Sequence, residues 1–118
     1  MGARVLFEKT LTSSDANGAG RIVIPKGHAE SHFPTLPGDD QKGIVLPMFD
    51  TFGKRHNFRF RYWINNASRM YLLEDAQAVV DKYSMGHGDV LIFGRLQDGM
   101  YAVTGRRGSK ADLNRHVE

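Results

Sequence analysis

The sequence predicts an all-β-dominated domain, a barrel or sandwich of seven short strands with two short helices, and three observations carry that prediction. In Asn57-Phe58-Arg59-Phe60-Arg61-Tyr62-Trp63 the aromatic residues Phe58, Phe60 and Tyr62 fall on one face and Arg59 and Arg61 on the other. That period of two marks a half-buried strand with a basic outer surface. Six further short runs are each bounded by Gly, Pro, Asn or Asp, and only two stretches look helical.

Taken in order, strands are expected at residues 5–11, 21–24, 43–49, 57–63, 70–73, 90–96 and 100–104. A short helix is expected to begin after Pro25 and run through Ala29 to His32 before Pro34 stops it, because proline suits a first helical turn and resists continuation. Pro47 has no amide hydrogen for a ladder, so its strand is expected at an edge or with a bulge. Phe52-Gly53 marks a reversal after that strand. The second helix is expected over residues 74–83, where Leu72, Leu73, Ala76, Val79, Val80 and Tyr83 recur at spacings of three and four. Asp98-Gly99 closes a tight hairpin between the last two strands.

The chain has 118 residues, enough for one domain with its own core and too few for two. There is no internal repeat or low-complexity tract, and no stretch approaches the roughly 18 apolar residues of a membrane span. Arg4, Glu8 and Lys9 stand where a signal peptide needs its apolar segment, so an intracellular setting is expected and Asn66-Ala67-Ser68 reads as a chance glycosylation pattern. Cysteine is absent, which excludes disulfides, thiolate catalysis and Cys-type zinc sites. Sixteen Lys and Arg against thirteen Asp and Glu give a net charge of +3, compatible with a polyanionic partner without demanding one.

Three clusters are candidate sites. His28 and His32 lie four apart on the short helix, but no third ligand is evident, so they read as surface histidines and no metal is expected. Gly86-His87-Gly88-Asp89 lacks a Ser or Cys nucleophile and reads as a turn in which Asp89 accepts hydrogen bonds from local backbone. Between two strands, Trp63-Ile64-Asn65-Asn66-Ala67-Ser68-Arg69-Met70-Tyr71 places Asn, Ser and Arg at a turn. Arg can pair with guanine O6 and N7, Asn with adenine N6 and N7, and a two-stranded ribbon fits the major groove; an ordinary Asn-rich hairpin turn remains the competing reading. The small-residue loop Asp15-Ala16-Asn17-Gly18-Ala19-Gly20-Arg21 permits close backbone approach to a ligand, with Arg21 reaching forward. Lys9, Lys26, Lys42, Arg59, Arg61, Arg106 and Arg107 are candidates for phosphate contact wherever they flank these loops.

Leu6-Phe7-Glu8-Lys9 with Leu11 and Ser14-Asp15, then Arg21-Ile22-Val23-Ile24-Pro25-Lys26, Ala29-Glu30 and Phe33-Pro34, resemble the opening of plant B3 DNA-binding domains. Residues 58–71 are similar to the signature of the seed-maturation and Viviparous-like branch of that family, and Gly88-Asp89-Val90 with Phe93 fits its closing strands. The resemblance implies a seven-stranded open pseudobarrel with two short helices. It implies a single domain over residues 6–107 with flexible tails at 1–5 and 108–118, acting without a cofactor. It further implies an N-arm at residues 15–21 and a C-arm at residues 63–71 that grip double-stranded DNA at an RY-type CATGCA element.

On that resemblance Arg21, Asn65, Asn66, Ser68 and Arg69 are the expected base-contacting residues. Lys9, Ser14, Asn17, Lys26, Arg59, Arg61, Trp63 and Tyr71 are expected to hold the DNA backbone or support the arms. The chain departs from the branch pattern at Ile64, where a proline is usual, at Ala67, where a third asparagine is usual, and at Gly18, where some relatives carry arginine. The expected setting is a transcription factor in the nucleus, the domain being monomeric and free of membrane contact. A peptide- or protein-binding β-module using Trp63, Tyr71 and an exposed strand edge is the alternative from another class. Hydrolysis is not expected, because no paired carboxylates stand at a metal-binding spacing.

Overall fold

The computed structural model describes residues 3–38 and 42–109, which form seven strands and two helices. In chain order these are β1 (Arg4–Thr10), β2 (Ile22–Ile24), α1 (Lys26–His32), β3 (Ile44–Phe49), β4 (Arg55–Asn65), β5 (Ser68–Glu74), α2 (Gln77–Lys82), β6 (Val90–Arg95) and β7 (Tyr101–Arg106). One mixed sheet orders the strands β1-β6-β7-β3-β4-β5-β2 and curls into an open half-barrel. The expected pseudobarrel with two short helices is therefore the observed fold.

Alternation dictates which side of each strand faces inward. On β4, His56, Phe58, Phe60 and Tyr62 are buried, and the residues between them are not. Phe33, just after α1, fills the mouth of the barrel, its ring edge-on to Phe7, Phe60, Phe93 and Tyr101, which come from β1, β4, β6 and β7. One side chain thus ties α1 to both halves of the sheet, in the edge-to-face geometry that aromatic quadrupoles favour.

The halves meet through β3 and β7, which pair in parallel only at Met48↔Tyr101 and Phe49↔Ala102. The expectation of an edge or bulged strand at Pro47 is corrected here: β3 lies inside the strand order and pairs in unbroken register with β4. It is tolerated because β3 has no β7 partner upstream of Met48. Val5, the expected first residue of the first strand, lies in β1 opposite Gly94, one residue after Arg4 opposite Arg95, and Gly108 donates its amide to Asp89 Oδ1 at 2.9 Å. Residues 1–2 and 110–118 of the two expected tails lie outside the described residues.

The expected second helix is shorter than its periodicity. Residues up to Glu74 continue β5, and Asp75 turns the chain at φ +62° before α2 begins. The Asp98-Gly99 hairpin is present, with Gly99 at φ +89° and Met100 donating to Asp98 Oδ1 at 3.0 Å. Asp89 accepts the amides of Gly86 and Gly108, both at 2.9 Å, which is the structural role expected of it.

Two buried or half-buried carboxylates make the fold acid-sensitive. Burial pushes the Asp50 carboxyl up, but the His56 ring and the amides of Lys54 and Phe52 outweigh it and hold the group below its usual range. At Asp89 burial is likewise outweighed by the Gly108 and Gly86 amides and by Arg107. A folded pKa below the unfolded value of about 3.9 stabilises the domain fully above that pH, and the contribution is lost as pH falls through the folded pKa. Thermal melts between neutral pH and pH ~3 are expected to show a falling Tm whose slope is reduced in Asp50→Asn and Asp89→Asn.

Candidate nucleic-acid interface

β1 and β2 are consecutive in sequence yet stand at opposite edges of the sheet, so the segment joining them crosses the open side of the half-barrel. This segment contains residues 15–21, expected as the N-arm, and Asp15 organises it. Asp15, fully buried, accepts the amides of Thr12 (2.9 Å) and Val23 (3.0 Å), and Lys9 Nζ lies 3.4 Å from its Oδ2. The Asp15 amide in turn donates to Thr12 Oγ1 at 3.0 Å, a reciprocal turn of the capping-box kind. The arm is thereby pinned to β1 behind it and to β2 ahead of it.

Of the two roles expected for Lys9, contact with the DNA backbone or support of an arm, this geometry fits the second. At 4% exposure beside Asp15 it has no access to a phosphate, and its place is inside the arm's base. Ser14 and Asn17 are exposed on the arm, and Asn17 Oδ1 accepts the Ala19 amide at 3.0 Å. Gly18 stands at φ +96° with nothing within 4 Å of where a Cβ would lie. An arginine there would have room but a strained backbone.

The C-arm is the tip of the β4–β5 hairpin, whose register runs to Asn65↔Ser68. Asn66 and Ala67 form its two-residue turn at φ +53° and +64°. Both positions are left-handed, which suits asparagine and penalises alanine. Ala67→Asn is therefore expected to raise stability by about 0.5–1 kcal/mol, read as an increase in Tm. Asn65, Asn66 and Ser68 are exposed, and Lys26 Nζ at the start of α1 reaches Ser68 Oγ at 3.4 Å.

Arg69 stands apart from its neighbours. It shares the inward side of β5 with Tyr71 and Leu73, its guanidinium lies 4.0 Å over the Tyr62 ring, and Nη1 donates to the Tyr71 hydroxyl at 3.2 Å. Tyr71 passes its own proton to Glu30 Oε2 at 2.7 Å. Burial pushes the Tyr71 phenol up despite the Arg69 hydrogen bond, so it remains a donor at neutral pH. Nε and Nη2 of Arg69 have no hydrogen-bond partner among the described residues. Arg69, Asn65, Ser68 and Lys26 together line a hollow of about 240 Å³.

On the other face, Trp63 is 47% exposed and lies opposite Met70. A second hollow, about 200 Å³, runs from Ser14, Asn17 and Arg21 of the N-arm to Trp63, Met70 and Leu72 of the C-arm strands. Arg21 Nε and Arg61 Nε lie 3.4 Å and 3.0 Å from the same Glu74 Oε2, so two cations share one carboxylate there. Arg59, further down β4, donates to the Lys42 carbonyl at 3.2 Å. His28 and His32 do not form a metal site among the described residues; the His28 ring stacks on Phe7 at 4.6 Å.

The structure thus brings Arg21, Asn17 and Ser14 into one groove with Trp63, and sets Lys26 beside Ser68 and Arg69. The sequence reading gave Asp15 no bonding role and left Glu30 out, although Thr12-Ser13-Ser14-Asp15 has the spacing of a reciprocal capping turn. An open half-barrel whose β4–β5 ribbon is flanked by a polar hollow on each face belongs to the class of DNA-binding β-domains. A family model described as the B3 DNA binding domain matches residues 7–109, and the chain belongs to that family, in its seed-maturation and Viviparous-like branch.

Relatives agree. A B3 domain-containing transcription repressor of Arabidopsis thaliana is 43% identical over 102 residues, covering 86% of this chain and 13% of that protein. Regulatory protein viviparous-1 of Zea mays is 42% identical over 104 residues, covering 86% of this chain and 15% of that protein. The chain therefore spans a small part of the length of these relatives. Among solved structures, the Arabidopsis FUS3–DNA complex superposes with a TM-score of 0.83 at 36% identity, over 90% of this chain and all of that one. The Arabidopsis thaliana LEC2–DNA complex gives 0.80 at 36% identity, over 92% of this chain and 97% of that one. The family is one of transcription regulators, not enzymes.

Proposed function

We propose that this domain binds double-stranded DNA sequence-specifically in the major groove, at an RY-type CATGCA element, as the DNA-binding domain of a nuclear transcription factor. The observation that carries the reading is a polar hollow on each face of the β4–β5 ribbon, one shared with residues 14–21 and one with Lys26, in a chain that superposes on two DNA-bound domains. Asn65, Asn66, Ser68, Arg69 and Arg21 are the base readers in this proposal. Lys26, Arg59 and Arg61 supply electrostatic footing, and Ser14, Asn17, Trp63 and Tyr71 position the arms. Phosphate contacts orient such a module and base contacts give it its sequence. The domain acts as a monomer, each arm supplied by the same chain.

The test is fluorescence-anisotropy binding to a CATGCA duplex and a scrambled control across a salt series. Preference for CATGCA supports the proposal. Binding to both alike removes the sequence assignment, and salt-insensitive or absent binding favours a peptide-binding module; of its two expected anchors Trp63 is exposed, whereas Tyr71 is 4% exposed and packed inside. Lys26→Ala is expected to weaken both duplexes equally and to lower the salt slope by about 0.9, the value of one phosphate contact. At Ala67, the asparagine variant is expected to shift preference at one base pair by about 1–3 kcal/mol if it gains a bidentate pair.

A further inference from the structure

The strand β4 has eleven residues from Arg55 to Asn65. At about 3.3 Å per residue, its two ends lie roughly 33 Å apart. The turn before Arg55 therefore occupies the opposite end of the sheet from the C-arm, and its chemistry is unlike that of the arms. Asp50 fixes it by accepting the amides of Phe52 (2.8 Å) and Lys54 (2.9 Å) and bonding the His56 ring (2.8 Å). Thr51 bonds the Tyr83 hydroxyl at 2.6 Å. On this rigid turn Phe52 is 67% exposed, with Lys82 Nζ 4.5 Å above its ring and Tyr83 beside it.

Beside the turn lies a hollow of about 150 Å³, walled by Val5, Phe49, Thr51, Ile92, Leu96 and Ala102. A space of that size accepts one benzene-sized group and, being apolar, holds water poorly. Val5 at its edge is 60% exposed. Lys54, Arg55 and Lys82 are all exposed, and none has a carboxylate partner among the described residues. Asp50 is buried and spent on the turn, and Asp81 is engaged by Gln77. Elsewhere Arg21, Arg61, Arg106 and Arg107 each have an acidic neighbour.

We infer that this far end of the sheet is a docking surface for an acidic peptide segment of a partner protein, one bulky apolar side chain of which enters the hollow beside Thr51. The three cations supply charge complementarity to the acidic segment. The aliphatic walls select a Leu- or Phe-like group, because a nucleobase placed there would lose hydrogen bonds from its polar edges. The surface is separate from the arms and does not depend on the DNA reading.

The test is a titration of the isotope-labelled chain, followed by amide NMR, with a short peptide alternating Glu with Leu and Phe. Control peptides replace Glu by Lys, or Leu and Phe by Ser, and all are repeated with the CATGCA duplex bound. Shifts at Phe52, Lys54, Lys82, Val5 and Ala102, absent with both controls, are expected. Lys54→Glu with Lys82→Glu is expected to weaken the peptide about tenfold or more, as unlike charges become like ones. DNA binding should be unchanged. The inference is overturned if no shifts appear or if they fall on the arms and vanish with DNA bound. It is equally overturned if the same patch responds to the duplex alone, or to rising protein concentration without peptide, since the occupant is then nucleic acid or a second copy.

Discussion

Asp15→Ala is expected to cost the domain about 3–5 kcal/mol and to abolish specific DNA binding, because it removes a carboxylate 3.4 Å from a buried ammonium. Lys9 is 4% exposed, and Asp15 Oδ2 at 3.4 Å is the carboxylate that offsets its desolvation. The same substitution frees the amides of Thr12 and Val23, so both ends of the N-arm lose an anchor. Urea denaturation reads the stability term, and anisotropy at a temperature where the variant is still folded reads the binding term. The double variant Lys9→Met with Asp15→Leu separates the two effects. Removing both charges should recover much of the stability, as replaced buried ion pairs often do, while the arm still lacks the bonds to Thr12 and Val23. If the double variant binds DNA as well as the parent, the arm's order does not depend on Asp15.

Arg69→Ala is expected to reduce affinity for CATGCA by about 1–3 kcal/mol, the value of a bidentate base pair, and to leave scrambled DNA nearly unaffected. The prediction is sharpened by where Arg69 lies. Its guanidinium is oriented by the Tyr62 ring at 4.0 Å and by the Tyr71 hydroxyl at 3.2 Å, and Tyr71 is itself held by Glu30. Tyr71→Phe should therefore weaken CATGCA binding in the same direction and by less, since the guanidinium loses the Tyr71 hydroxyl but keeps the Tyr62 ring and the Leu36 carbonyl at 3.4 Å. Equal losses on both duplexes for Arg69→Ala would assign it to the protein's own packing instead of to base reading. Comparative anisotropy on the two duplexes, with melts of each variant, distinguishes these results.

The strand β4 was legible because alternation is a local signal, and Phe58, Phe60 and Tyr62 do face the core. Its ends were not, since the ladder with β5 carries pairing outward to Asn65↔Ser68, where no apolar residue marks it. The second helix was read too long because Leu72 and Leu73 fit its period while belonging to β5, and the left-handed turn at Asp75 leaves no mark on that period. The arm-supporting place of Lys9 has a local signal: it shares the parity of Phe7 and Leu11, both buried, and a charge in that position needs a buried partner. Asp15 was obscured by its setting among small polar residues, which read as solvent-exposed loop. The meeting of the N-arm with Trp63 and Met70 joins segments some fifty residues apart and depends on β2 pairing with β5, which no local pattern encodes.

The central claim is that the arms read base edges from the major groove. It is tested most directly by comparing a CATGCA duplex with one in which guanine is replaced by 7-deazaguanine. The replacement removes the N7 acceptor from the major groove and leaves base pairing and the minor groove intact. Binding to the modified duplex is predicted to fall toward that of scrambled DNA, by about 1–3 kcal/mol for each lost bidentate contact. Undiminished binding to the modified duplex would contradict guanine reading in the major groove.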